Sequence, residues 1–254
     1  MEYPHISILT PTYNRRKFAT LSVFNVKNFD YDKYKLEWNI LDDGDVPLFT
    51  SDDLLRTRII LHPVKVNYRY DKSRHLTIGE KRNLLVKNAT HKIVAFMDDD
   101  DIYLPSYIKH SVETMKRNKS GLVGSNGMLF VFPYKNFQMA QIQCEAKRQI
   151  HEATMMFTKK YYRSMKGFHK NSKGEGSSMV DYSENRCSIT DITKSMVCVA
   201  HKNNTIDKEQ FANAKIEAEM SELYKKILSD ILDLDYEMVD EETYSSTSLS
   251  DSNS

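Results

Sequence analysis

Four consecutive aspartates, Asp98 to Asp101, close an apolar run that reads Lys92-Ile93-Val94-Ala95-Phe96-Met97. Carboxylates crowded this closely repel one another and need a counter-ion. Their hard oxygen atoms favour Mg²⁺, Mn²⁺ or Ca²⁺. A β-forming run that ends in such a cluster would deliver it to the carboxyl edge of an α/β sheet, where ligands bind. A second acidic pair, Asp42-Asp43, follows the run Leu36 to Leu41 and is closed by Gly44. Alone, that pair is an ordinary turn signal. Together the clusters outline a nucleotide site, with one carboxylate accepting from a base or ribose and the other set holding a cation on a diphosphate. Lys72, Arg74, Lys81, Arg82 and Lys87, just upstream of the aspartates, suit a metal-chelated phosphate or form a solvated surface.

The elements that must position these residues alternate. Residues 5–10 read as a strand, 16–27 as a helix, 36–41 as a second strand, and 57–70 as one or two more. A helix is expected over Ile78 to Asn88, then a strand at 92–97, then a helix from Pro105 to about Arg117. Strand followed by helix, repeated, predicts a parallel sheet with crossover helices. From Gly121 to Thr158 the pattern becomes β-rich, Gly174-Glu175-Gly176 opens a further helix, and Met196 to Ala200 is a late strand. Phe211, Met220, Leu223, Ile227 and Ile231 predict one amphipathic helix over 207–232. The expected organisation is a domain over 1–205, a C-terminal helix over 206–235 and an acidic, Ser-rich disordered tail over 236–254.

Composition excludes several classes. The net charge of +1 gives no global attraction to nucleic acid or anionic membrane. Cys144, Cys187 and Cys198 form no Cys-x-x-Cys pair, which argues against a disulfide framework or zinc site. No apolar stretch nears the roughly 18 residues of a membrane span, and a polar-flanked strand begins too early for a secretory leader. A protein of the cytoplasm, without a transmembrane segment, is expected. There is neither a Gly-x-Gly-x-x-Gly after the first strand nor a Gly-Lys-Ser/Thr phosphate loop. Phosphate charge must then be met by metal and basic side chains.

Ile6 to Arg15, Asn39-Ile40-Leu41-Asp42-Asp43-Gly44, Ile78-Gly79-Glu80-Lys81-Arg82-Asn83 and Phe96 to Asp101 occur in one order over roughly residues 4–110. In that order they resemble the family 2 glycosyltransferases of the GT-A fold, in a compact form similar to those of bacteria and large DNA viruses. The resemblance implies an α/β, Rossmann-like mixed sheet flanked by helices, and a metal-dependent, inverting transfer of sugar from a nucleotide-diphosphate donor. A UDP-sugar, and Mn²⁺ or Mg²⁺, are what the family implies. Thr10, Pro11, Thr12 and Tyr13 look like the loop that packs on the base, and Asp43 like the carboxylate that reads it. Lys81 and Arg82 would approach base or diphosphate, Asp98 and Asp99 the ribose and metal shell, and Asp100 would be the principal metal ligand. Asp101 matches a position often acidic in the family, or caps the helix near Pro105.

The second half resembles the family less closely. Gly167-Phe168 and Gly174-Glu175-Gly176 look like the segment that supplies the catalytic base, which makes Glu175 the candidate. Asp181 competes and Glu184 follows, while Gly176 departs from the common Glu-Asp form. An acid at a helix start also complements the helix dipole without catalysis. His201 resembles a further metal or diphosphate contact, although a lone histidine is commonly structural. The segment His151-Glu152-Ala153-Thr154 could line the acceptor side. Acceptors of the implied reaction are a glycan, a glycoprotein or a lipid-linked sugar, and the C-terminal helix offers a route to a homodimer in the host cytoplasm or a bacterial one. The rival readings are a sugar nucleotidyltransferase and a non-catalytic sugar-nucleotide-binding relative.

Overall fold

Strand β1 (Ile6–Thr12) is almost wholly buried, as an apolar run in a central parallel strand should be. It pairs in parallel with β2 (Leu36–Asp42) on one side and β4 (Ile93–Phe96) on the other, and β3 (Lys65–Tyr70) extends the sheet beyond β2. Past β4 the direction changes. Strand β9 (Met156–Thr158) runs antiparallel between β4 and β6 (Leu122–Gly124), and β10 (Cys187–Ile189) closes that side parallel to β6. The seven-stranded order is β10-β6-β9-β4-β1-β2-β3, so the expected parallel arrangement holds for β1 to β4 and the whole sheet is mixed. A second sheet has the order β5-β11-β7-β8, from β5 (Ile102–Tyr103), β7 (Gly127–Phe132), β8 (Gln138–Gln143) and β11 (Met196–Val199). This computed structural model describes residues 2–144, 149–181, 183, 186–202, 204 and 206–234. The tail at 236–254 and Glu184 lie outside the described residues.

Helices α1 (Ala19–Asn28), α3 (Ile78–Asn88) and α4 (Tyr107–Asn118) fall where the periodicity predicts. Neighbouring residues of β1 face opposite cores, with Ile8 joining Phe18, Trp38 and Val123 while Leu9 joins Phe96, Phe157 and Phe168. Helix α3 is fixed at its start by a capping box: Thr77 Oγ1 accepts from Glu80 N at 3.2 Å, and Glu80 Oε2 accepts from Thr77 N at 3.0 Å. That anchor sets which residues of the first turns face the strand ends, and Lys81 and Arg82 are the ones buried there.

Three expectations need correction. Of the one or two strands expected over 57–70, one forms, β3, and the start of that span is the end of helix α2 (Ser51–Leu61). A second capping box, Thr50 with Asp53, starts that helix, and its apolar Leu55, Ile59 and Ile60 point outward, which masks the helical period. Helix α5 (Lys159–Ser164) follows β9, whereas Gly174-Glu175-Gly176 opens only a short 3-10 turn, Glu175–Met179. The helix expected over 207–232 is broken. After a 3-10 turn at Glu209–Phe211 the chain lies antiparallel along the open edge of β8, with Gln141 N donating to Ala214 O at 3.0 Å and Ile216 N to Met139 O at 3.1 Å. Only α6 (Glu222–Leu232) is helical, and it buries Leu228, Ile231 and Leu232 in the chain's own core. The free backbone groups of an edge strand compete with helix formation for this segment. Leu223, expected on the buried face, is 56% exposed.

Helix α3 is held against the loop at 168–172 by close backbone approach, with Gly79 N donating to Asn171 O at 2.9 Å. A β-carbon at Gly79 would stand 1.7 Å from His169 O. Overpacking of this kind costs about 1–3 kcal/mol, so Gly79→Ala is expected to lower the urea midpoint of unfolding accordingly. An unchanged midpoint would show that the loop yields without strain.

Candidate active site

The register of the sheet assembles the site. Thr12 stands opposite Asp42, and Leu9 opposite Phe96, so the segments that follow β1, β2 and β4 emerge side by side at one edge. There they surround a cavity of about 470 Å³. Of the expected residues, Pro11, Thr12, Tyr13, Lys81, Arg82, Asp98, Asp99 and Asp100 line it. Arg15, His75, Leu76, Ile78 and Ser172 line it as well. Arg15 lies in the segment after β1 without a sequence signal for a role of its own, and Ser172 is brought in by tertiary packing alone.

At one end of the cavity the two acids at the close of β2 divide their work. Asp42 shapes its own loop, accepting from Gly44 N at 3.0 Å, Leu48 N at 2.7 Å and Tyr68 Oη at 2.6 Å. Gly44 is required there because a β-carbon would lie 2.4 Å from Asn14 N. Asp43 is fully buried, accepts from Leu76 N at 2.6 Å and pairs with the Lys81 ammonium. Lys81 Nζ also donates to Thr12 O at 2.8 Å and lies 5.2 Å from the centre of the Tyr13 ring. One ammonium thus ties the loops after β1 and β2 to α3. Asp43 does not line the cavity, and neither does Thr10, whose Oγ1 accepts from Trp38 Nε1 at 2.9 Å inside the core. Tyr13, 44% exposed, presents an open aromatic surface.

The aspartates have four different environments. Asp98 pairs with Arg82 at 3.2 Å, and burial raises its pKa against that attraction. Burial and the neighbouring Asp100 charge hold Asp99 well above the usual carboxylate range. Burial opposes ionisation of Asp100 too, but the His201 hydrogen bond and the Arg15 charge prevail and hold it at about 2. The contacts are His201 Nε2 to Asp100 Oδ2 at 3.0 Å and Arg15 Nε to the same oxygen at 3.3 Å. His201 packs against the Phe18 ring, with centroids 4.7 Å apart. Asp101 is no helix cap. It points the other way, accepts from Val199 N at 2.9 Å, and so fastens the aspartate loop to β11. Burial pushes its pKa up to about 7, moderated by the Lys208 charge. Lys208 reaches in from the segment before α6 and donates to Cys198 Sγ. No sequence signal links it to residues so far upstream.

Beyond Asp98, the Arg82 Nε donates to Glu175 Oε1 at 2.9 Å, and its guanidinium stands 4.4 Å from the centre of the Phe96 ring. Glu175 is only 4% exposed and is not among the cavity-lining residues. Asp181 does not share its 3-10 turn; it accepts from Ser183 N at 3.0 Å and pairs with Arg186 at 2.8 Å in a turn of its own. The segment His151 to Thr154 buttresses the site from beneath. Glu152 Oε1 accepts from Gly176 N at 3.0 Å, and Ala153 O accepts from Tyr103 Oη at 2.8 Å, the same hydroxyl that receives Asp98 N at 2.9 Å. Among the described residues no three or more His, Cys, Asp or Glu side chains form a ready-made metal cage.

Burial lowers the pKa of His151 to about 4, and the Lys208 charge acts in the same direction. The fold therefore favours the neutral ring. Its contribution to stability is complete above 6.5, the ordinary histidine value, and is lost as pH falls from there to about 4. The loss is at most about 3 kcal/mol. Between those pH values the urea midpoint of a His151→Gln variant is expected to fall less steeply than that of the wild type. Parallel curves would remove His151 as the cause.

A family model described as Glycosyl transferase family 2 matches residues 7–174. An uncharacterised glycosyltransferase of Rickettsia felis is 26% identical over 133 residues, 52% of this chain and 19% of that protein. One of Rickettsia conorii is 29% identical over 114 residues, 44% of this chain and 17% of that protein. The chain thus spans about a fifth of the length of these relatives. Among solved structures, the mannosyltransferase PcManGT from Pyrobaculum calidifontis, in complex with GDP-Man and Mn²⁺, superposes with a TM-score of 0.61 at 18% identity, over 83% of this chain and 59% of that one. S. aureus TarS 1-349 in complex with UDP-GlcNAc does so with a TM-score of 0.59 at 16% identity, over 92% of this chain and 68% of that one. These likenesses share the GT-A fold, and with a match that spans more than half of its length and contains both acidic clusters, the chain belongs to glycosyl transferase family 2.

Proposed function

We propose that this protein transfers a sugar from a nucleoside-diphosphate donor, a UDP-sugar, to a hydroxyl of a glycan, glycoprotein or lipid-linked acceptor, with inversion at the anomeric carbon. The observation that carries the reading is the single cavity in which Tyr13, Lys81, Arg82 and Asp98 to Asp100 converge. Tyr13 supplies a face on which a base can stack, and Lys81 keeps the loops after β1 and β2 in place around it. Sugar nucleotides in complexes of two proteins of this fold support a donor of that class, GDP-Man in one and UDP-GlcNAc in the other.

The residues present fit a divalent cation. Asp100 Oδ2 and His201 Nε2 lie 3.0 Å apart, Asp100 is kept ionised, and Asp99 Oδ2 is buried without a hydrogen-bond partner. Asp100 and His201 would hold Mn²⁺ or Mg²⁺, with Asp99 in the surrounding shell. When bound, the ion would offset the negative charge that develops on the departing diphosphate. Glu175 is the proposed base. Its carboxylate would take the proton of the acceptor hydroxyl as oxygen bonds to the anomeric carbon and the bond to the diphosphate breaks. The Arg82 N–H at 2.9 Å orients this carboxylate, and Arg82 joins it to Asp98 at the donor side.

The burial of Glu175 and its pairing with Arg82 favour one alternative, a relative that binds sugar nucleotides without turning them over. Release of nucleoside diphosphate from a panel of sugar nucleotides with Mn²⁺ separates the readings. Turnover supports transfer, binding without turnover supports the alternative, and release of pyrophosphate in a parallel assay with a nucleoside triphosphate and a sugar 1-phosphate would indicate a nucleotidyltransferase. Glu175→Gln keeps an acceptor for Arg82 but cannot take a proton, so transfer is expected to fall about 10²–10⁴-fold with donor affinity preserved. Asp100→Ala is expected to lose both donor–metal affinity and transfer. If both variants transferred sugar at the wild-type rate, the mechanism would be wrong.

A further inference from the structure

Arg15 occupies a position that the roles above do not explain. Its Nε lies 3.3 Å from Asp100 Oδ2 and 3.7 Å from Asp99 Oδ1. The same Asp100 oxygen meets His201 Nε2 at 3.0 Å, so one carboxylate oxygen is shared by a guanidinium and an imidazole. Arg15 also lines the cavity together with Tyr13, Lys81 and Arg82, within the space a donor would enter. A guanidinium and a divalent cation on the same carboxylate oxygen repel each other. A guanidinium beside a diphosphate is attracted, and its planar fork matches phosphate oxygens.

We infer that Arg15 is a positioning residue that couples cation binding to diphosphate binding by exchanging its partner. Against the aspartates it neutralises Asp99 and Asp100 and opposes entry of a cation alone. When a diphosphate arrives, Arg15 turns onto the phosphate oxygens and gives up the carboxylates. Each ligand then strengthens the other by the same factor, as linkage requires. The inference rests on the reading of Asp100 and His201 as the cation site, and it adds the order in which that site is made available. Arginine suits this exchange because it stays charged throughout and can reach two acceptors with different N–H groups.

The test measures binding. Free Mn²⁺ is followed by its electron paramagnetic resonance signal as protein is titrated, alone and with saturating UDP or GDP, for the wild type, Arg15→Gln and Arg15→Lys. In the wild type the nucleotide that binds is expected to tighten Mn²⁺ at least about tenfold. Arg15→Gln is expected to bind Mn²⁺ alone more tightly than the wild type does, and to lose most of the gain from nucleotide. Arg15→Lys, which keeps the charge, is expected to resist Mn²⁺ alone as the wild type does. Unchanged or weaker Mn²⁺ binding by Arg15→Gln would overturn the role of Arg15 while leaving the cation site intact. Independent binding of Mn²⁺ and nucleotide by the wild type would overturn it without any variant. Failure of the wild type to retain Mn²⁺ with either nucleotide would overturn the cation site itself, and the inference with it.

Discussion

Charge compensation under burial is the constraint on which this structure depends. Asp98 to Asp101 crowd one loop, Asp43 and Glu175 are buried near its two ends, and such carboxylates are stable there only if cations meet them. The cations come from distant parts of the chain. Arg15 arrives on the loop after β1, Lys81 and Arg82 on α3, and Lys208 on the segment that leads to α6. The fold can be understood as the means of bringing these four to six acids. A buried pair adds little net stability over an apolar one, but loss of one partner leaves an uncompensated charge, so the pairs specify geometry more than they add strength.

That requirement explains the division of labour among adjacent acids. Asp42 and Asp101 spend their oxygens on backbone N–H groups and fasten loops. Asp43, Asp98 and Asp100 face side-chain cations or an imidazole, which are groups able to respond to a ligand. Arg82 is central because it meets Asp98 on one side and Glu175 on the other. One guanidinium thus links the aspartate loop to the carboxylate proposed as the base.

Much of the half that carries both acidic clusters was legible in the sequence because its signals are local. An apolar strand, a short helical segment and a run of acids each lie within a dozen residues, and β1, β2, α3 and β4 stand where those signals put them. What was not legible depends on contacts between distant residues. The direction of β9 is set by pairing with β4 and β6, and nothing in Met156-Phe157-Thr158 encodes it. The broken helix over 207–232 reflects the open edge of β8, which outcompetes a good helical period. Asp42 bonds within its own turn, as a local signal can foretell, while Asp43 owes its place to Lys81 and Leu76. Lys208 could be found only once the chain had closed on itself.

The antiparallel placement of β9 also bears on the order in which the molecule can assemble as it is synthesised. Strands β1 to β4 pair with one another, so the sheet edge from which both acidic clusters emerge can form once residue 101 has been made. Strand β6 is the next of this sheet to emerge but does not pair with β4; its neighbours are β9 and β10, both made later. A ribosome would thus release the half that carries both acidic clusters while β6 still waited for a seat. Met156 and Phe157, which bond to strands on either side, are the residues whose arrival joins the two halves.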